Sequence, residues 1–201
     1  MADVSGIVLT GGRSSRMGRD KAALVLGGST LLARAVAALD AVADDIVIVR
    51  APGQSLPLVQ TSGSLTIVAD AAEGLGPLAG IVHGLAAAAA DIAVVVGVDH
   101  PFLRPSLLQL LVERVREGAP WVLPLLDGHA QPSCCALSRA CLESLRARLE
   151  AGERSPAAVA EALGAVLVPE AEWRRVDPEG LSFLDVDTPE DFEAARRRLG
   201  R

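Results

Sequence analysis

"SGIVLTGGRSSRMGRDKAAL", residues 5–24, is an apolar run that breaks into paired glycines and then into positive charge. Ile7 to Leu9 have strand character, and Thr10, Gly11 and Gly12 end the strand. Arg13, Arg16, Arg19 and Lys21 follow before apolar sequence resumes. A buried parallel strand ending in glycines puts backbone N–H groups at the carboxyl edge of a sheet, where open α/β folds bind ligands. Glycine lets a ligand approach the backbone closely. Arg16 and Lys21 add full charges against groups that amides alone only partly neutralise. The stretch therefore reads as a phosphate site, with a solvated basic turn as the alternative.

Working outward, apolar runs of strand character recur at Val4 to Leu9, Ile46 to Val49, Leu65 to Ala69, Ile92 to Val98 and Trp121 to Leu126. Helical periodicity lies between them, at Leu31 to Val42, Leu78 to Ala90 and Pro105 to Glu117. That alternation predicts an α/β fold, a mostly parallel sheet covered by helices on both faces. Because the runs are continuously aliphatic, both faces of these strands are expected to be buried. Thr30 suits the N-cap of the first helix, Pro105 a first turn and Gly118 a stop. Past residue 127 the pattern predicts a turn at "DGHAQPS", a short run "CCAL", helices over 139–149 and 156–163, short strands "AVLVP" and "FLDV", and a last helix over Pro189 to Leu199.

At 201 residues the chain suits one sizeable core better than two small ones. We expect a single domain over 1–201, with a regular strand–helix alternation over 1–126 and a less regular part with a closing helix over 127–201. A net charge of -6 argues against a protein that coats nucleic acid, so any cationic site must be local. No segment reads as a signal peptide or membrane span, which makes a cytoplasmic location the expectation. The cysteines are three, Cys134, Cys135 and Cys141, an odd number that suits no secreted disulfide framework. Adjacent Cys134 and Cys135 on a strand would face opposite ways, so small buried side chains are favoured over a redox or zinc role.

Two standard glycine fingerprints fail. A Walker loop needs Lys directly after its second glycine, whereas Gly18 is followed by Arg19, Asp20 and Lys21; Gly74, Gly76 and Ala79 match the dinucleotide fingerprint only loosely, with Pro77 inside it. "LTGGRSSRMGRDK", residues 9–21, instead closely resembles the signature of the MobA-like nucleotidyltransferases, Leu-x-Gly-Gly-x-x-x-Arg-Met-Gly-x-Asp-Lys after the first strand. Its Asp-Lys ending is more similar to molybdenum cofactor guanylyltransferases than to isoprenoid cytidylyltransferases, which carry Pro-Lys. "GGSTLLARAVAAL", "VADAAEGLGPLAGIVHGL", "VVVGVDHPFL" and "FLDVDTPEDF" resemble later family motifs in the correct order. The chain departs from the family at Val98, where Cys is usual, at Asp185 and Asp187, where Asn is common, and near Val49 and Arg50, where an Asn often ends the second strand.

The resemblance implies a three-layer α/β/α Rossmann-like fold of the nucleotide-diphospho-sugar transferase type. It implies GTP bound by Leu9, Thr10, Gly11, Gly12, Lys21, Asp70 and Asp99, and magnesium held by Asp99. Read from spacing alone, Asp99 serves a metal or a turn before Pro101 equally well, since a carboxylate at a buried strand's exit needs compensation. Asp70 also reads as an ordinary strand-end turn residue. Asp187 has a full explanation as a helix cap beside Thr188, with metal binding the lesser reading and lesser still for Asp185. His83 reads as structural, His100 as a possible substrate contact, and His129 as a residue of an exposed turn. The implied function is transfer of GMP from GTP to molybdenum-molybdopterin with release of pyrophosphate, with Arg16, Lys21 and Asp99 as the catalytic residues. The alternatives are a cytidylyltransferase or related enzyme with another phosphorylated acceptor, and a non-catalytic nucleotide-binding regulatory module. Neither nucleic acid nor membrane is expected as a partner; transient contact with cofactor-handling proteins is.

Overall fold

A computed structural model describes residues 3–11, 20–70 and 76–200 of the chain. In chain order the elements are β1 (Val4–Leu9), β2 (Val25–Leu26), β3 (Ser29–Thr30), α1 (Leu31–Asp40), β4 (Asp45–Arg50), β5 (Ser64–Ala69), α2 (Pro77–Ala87), β6 (Ile92–Gly97) and α3 (Pro105–Arg116). There follow β7 (Trp121–Leu126), β8 (His129–Ala130), β9 (Cys134–Ser138), α4 (Leu142–Glu150), α5 (Pro156–Ala162), β10 (Val166–Val168), α6 (Glu170–Trp173) and α7 (Pro189–Leu199).

Among the described residues the main sheet runs β10-β7-β9-β6-β1-β4-β5, with β8 paired to β7. The β6, β1, β4 and β5 pairings are parallel, as is β10 with β7; β9 runs antiparallel between β6 and β7. Successive residues of the central strands divide between two cores, as the two-residue period of a strand requires. Val8, Ile48 and Val96 pack with Leu32 of α1, Leu108 of α3 and Ala195 of α7. Ile7, Val47, Val49 and Val95 pack with Ile81 of α2, Leu145 of α4 and Val159 of α5. These are the three layers expected. Cys134 and Cys135 fall into opposite cores, both fully buried, and burial pushes both thiols up, that of Cys135 to about 12. That is the chemistry of inert small side chains.

Three expectations need correction. β5 is an edge strand with Leu65 37% and Ile67 51% exposed, not buried on both faces. Its connection from β4, residues 51–63, carries no helix or strand. "FLDV" forms no strand: Leu181–Phe183 make a 3-10 turn, because buried Asp177 accepts the amides of Leu181 and Ser182 at 3.1 and 2.9 Å. Phe183 then packs edge-on to Trp173, ring centroids 4.7 Å apart. α1 and α2 end at Asp40 and Ala87, before the Val42 and Ala90 that periodicity reached.

Candidate active site

The site lies where β1, β4, β5 and β6 end. Leu9, Gly11, Asp70, Gly80, Gly97, Asp99 and Ser133 are among the residues lining a cavity of about 150 Å³ there. Thr10 is buried beneath it, its hydroxyl 3.0 Å from Val49 O and 2.9 Å from Gln54 Oε1. Gly12 and Arg16, like Gly18 and Gly74 of the rejected fingerprints, lie outside the described residues.

Gln54 is a residue that motif reading missed. Its Nε2 lies 3.0 Å from both Asp20 carboxylate oxygens and 3.4 Å from Thr10 O, so one side chain ties together the two ends of the glycine loop. It sits in an irregular segment with no motif, and only the fold reveals the partners. Asp20, thus held, caps the 3-10 turn Lys21–Ala23 by accepting from Ala22 N at 2.9 Å, and Ala22 is fully buried. The backbone of Lys21 is therefore fixed before its side chain reaches out.

That side chain crosses to two carboxylates. Nζ is 3.1 Å from Asp99 Oδ2 and 2.5 Å from Asp187 Oδ1, and the Lys21 side chain is only 13% exposed. Burial by itself would lower the ammonium's pKa, but the hydrogen bonds and charges of Asp187 and Asp99 outweigh it and the net shift is upward. Asp187 reaches this point because Val186 N donates to Asp99 O at 2.9 Å, just past the end of β6. Val186 is buried, while Asp185 and Asp187 on either side of it keep contact with solvent. Thr188 is the cap of α7, in a reciprocal capping box with Asp191, which resolves the choice of cap, and the Asp187 carboxylate pairs with Lys21. Burial raises the pKa of Asp185, helped by Asp187 and Asp99 and opposed by His100.

Gly97 lets Asp99 fold back: a Cβ there would stand 2.5 Å from Asp99 Oδ1. His100 is 5% exposed, with Nε2 3.0 Å from Ser133 Oγ and 3.7 Å from Asp99 Oδ1. His129 is exposed on β8. His83 pairs with Asp70, a contact no motif signalled. Among the described residues no group of three or more His, Cys, Asp or Glu gathers as a metal site. What converges instead is one oxygen each of Asp99 and Asp187 on one cation, a hard-oxygen pair of the type that binds divalent ions alongside phosphates. A separate cavity of about 340 Å³, bordered by Phe102, Asp185, Arg197 and Arg198, shares no lining residue with the first. No described helix is long and apolar enough to cross a membrane.

Known proteins share the sequence and the fold of this chain. The profile of the MobA-like NTP transferase domain matches residues 6–168. A protein of Desulfosudis oleivorans named molybdenum cofactor guanylyltransferase is 32% identical, covering 99% of this chain and 97% of its own. One from Mycobacterium avium, named "Probable molybdenum cofactor guanylyltransferase", is 38% identical with 96% and 97% covered. The crystal structure of molybdopterin-guanine dinucleotide biosynthesis protein A from Archaeoglobus fulgidus shares the fold, with a TM-score of 0.80 at 23% identity over 98% of both chains.

Proposed function

The chain belongs to the MobA-like NTP transferase family and is a nucleotidyltransferase, and from that premise we propose that it moves GMP from GTP to molybdenum-molybdopterin, with magnesium as its divalent ion. The names of its full-length relatives support the nucleotide and the acceptor. The observation that carries the reading is the convergence of Lys21, Asp99 and Asp187 beside the cavity that Asp70 lines.

An oxygen of the acceptor phosphate attacks the α-phosphorus of GTP in line; the bond to the β-phosphate oxygen breaks and its electron pair leaves with pyrophosphate. The acceptor is already ionised at neutral pH, so no side-chain base is needed. The amides of Gly11 and Gly12 and the charge of Arg16 hold the triphosphate above Leu9 and Thr10, and Lys21 offsets charge on the departing pyrophosphate. Asp99, with Asp187 as second donor, would hold magnesium, which when bound neutralises phosphate charge at the reacting centre. Asp70 presents acceptors to the base: guanine offers two adjacent donors on its Watson–Crick edge, N1–H and the 2-amino group, whereas cytosine and adenine offer a ring-nitrogen acceptor there. Residues 127–201, which contribute Ser133 and Asp187, form the acceptor side.

Incubation with molybdopterin, magnesium and the four nucleoside triphosphates, followed by mass identification of products, tests this. A guanine dinucleotide of the acceptor is expected. A cytosine dinucleotide as the main product, or none from any triphosphate, would overturn it.

A further inference from the structure

His83 Nδ1 stands 2.5 Å from Asp70 Oδ1, across 13 residues of chain and between two different elements. Asp70 directly follows β5; its amide donates to Arg50 O at 2.8 Å, and it lines the cavity. His83 lies within α2, and the helix reaches it only by packing unusually close to the sheet. A Cβ on Gly80 would meet Leu9 Cδ2 at 3.1 Å, and one on Gly84 would meet Ile7 Cγ2 at 2.5 Å. Larger residues at either position would lift α2 off β1 and draw the imidazole away from the carboxylate. The contact therefore depends on a close approach that the sequence builds in twice, four residues apart on one helix face.

An ionised carboxylate only accepts, so Nδ1 is the protonated nitrogen of His83 in this pair. Without a partner, an aspartate at a strand end can turn about χ2 and present its oxygens in any plane. With Nδ1–H on Oδ1 the plane is set while the residue lines the cavity, and a carboxylate so held keeps acceptor capacity for further donors. We propose that His83 is a positioning residue for base selection, fixing the plane in which Asp70 meets the paired donors of guanine. The inference rests on the reading of Asp70 as the base contact. It gives the 2-amino group a specific consequence, because a fixed carboxylate meets two donors in register while a turning one gains little from the second.

The test compares GTP with ITP, which keeps N1–H and lacks the 2-amino group. Affinities of the full chain are measured by calorimetry with magnesium, alongside kcat and KM. Wild type is expected to prefer GTP by at least about tenfold, the scale of one charge-assisted hydrogen bond. His83→Leu should shrink that ratio below about threefold through weaker GTP binding, with KM rising and kcat changing by less than about twofold. His83→Asn, which keeps a donor near Nδ1, should retain most of the preference. In His83→Ala, added imidazole should restore it, a rescue that also serves if the leucine variant does not fold.

A His83→Leu protein that keeps the wild-type ratio, or that loses GTP and ITP affinity equally, would overturn the inference. So would an imidazole-insensitive His83→Ala. Asp70→Ala separates the two levels. Loss of the ratio there but not in His83→Leu sinks only the role of His83; a ratio intact in both sinks the base-contact reading as well.

Discussion

Replacing Lys21 with methionine keeps the length of the side chain and removes its charge, leaving Asp99 and Asp187 without the ammonium they share. At an effective dielectric of about 20, the attraction at the observed 3.1 and 2.5 Å is about 5 and about 7 kcal/mol. Most of that is cancelled by the desolvation of an ammonium only 13% exposed and by repulsion between the two carboxylates. Removing one partner of a fully buried pair costs about 3–5 kcal/mol, and exposed pairs are worth about 1 or less. With Asp99 29% and Asp187 43% exposed, this site falls between, at about 2 kcal/mol. For a domain of this size that is a fall in Tm of about 4–8 °C. Scanning calorimetry in chelator and then in magnesium reads the rest. In the variant a divalent ion no longer competes with an ammonium for the same oxygens. Magnesium at about five times its Kd would recover about 1 kcal/mol, half the loss. Wild type should respond to magnesium alone by less than about 1 °C. Turnover should fall at least about 100-fold. An unchanged metal-free Tm would show that Lys21 is not the counter-ion of the acidic edge. An equal magnesium response in both proteins would refute the competition.

Asp185→Asn should raise Tm at pH 7, because the folded state disfavours the Asp185 anion through burial and the nearby Asp187 and Asp99. A carboxyl whose folded pKa lies above its ordinary value, 3.8, favours folding most below that value and loses the contribution as pH rises through the folded pKa. The gain from Asn should therefore vanish towards pH 3, and a gain independent of pH would contradict the assignment. Gly97→Ala should push the Asp99 carboxylate aside, lowering turnover at least about tenfold and stability by about 1–3 kcal/mol. Wild-type activity in that variant, assayed with melting curves, would mean that the position of Asp99 is not critical.

The layers were legible because aliphatic runs and glycine breaks report directly on buried strands and their ends. Val8 and Ile7 could be placed in a core by composition alone, and Thr30 on a helix by its hydroxyl. What composition cannot report is neighbours. Leu65 and Ile67 read like any core strand, yet nothing in the run says that β5 has no strand beyond it. "FLDV" has the alphabet of a strand, but buried Asp177 claims the two preceding amides and turns the chain. Asp70 and Asp99 were visible because charge at the end of an aliphatic run is costly and therefore informative, and Lys21 and Asp187 because they stand in stretches that resemble family motifs. Their partners were not: Gln54 and His83 bear no such cost, and only the close packing of α2 and the fold of residues 51–63 bring them to the site.

The charge at this edge constrains how a triphosphate can enter. Asp70, Asp99, Asp185 and Asp187 stand at or beside the cavity of a chain already at -6, and Lys21 is committed to two of them. Among the described residues, a bare triphosphate would meet carboxylates whose shared cation, Lys21, is already paired. If Lys21 is to meet the phosphates, another cation has to satisfy Asp99 and Asp187 in its place. On the proposed reading Asp99 and Asp187 would hold a divalent ion, whose charge would stand in for the ammonium and leave Lys21 for the phosphates. On this logic the pairing of Lys21 with Asp99 and Asp187 does not count against a metal there. On the proposed reading it would hold a divalent ion's place, and the metal–nucleotide complex, rather than either component alone, would be the species that this edge accepts.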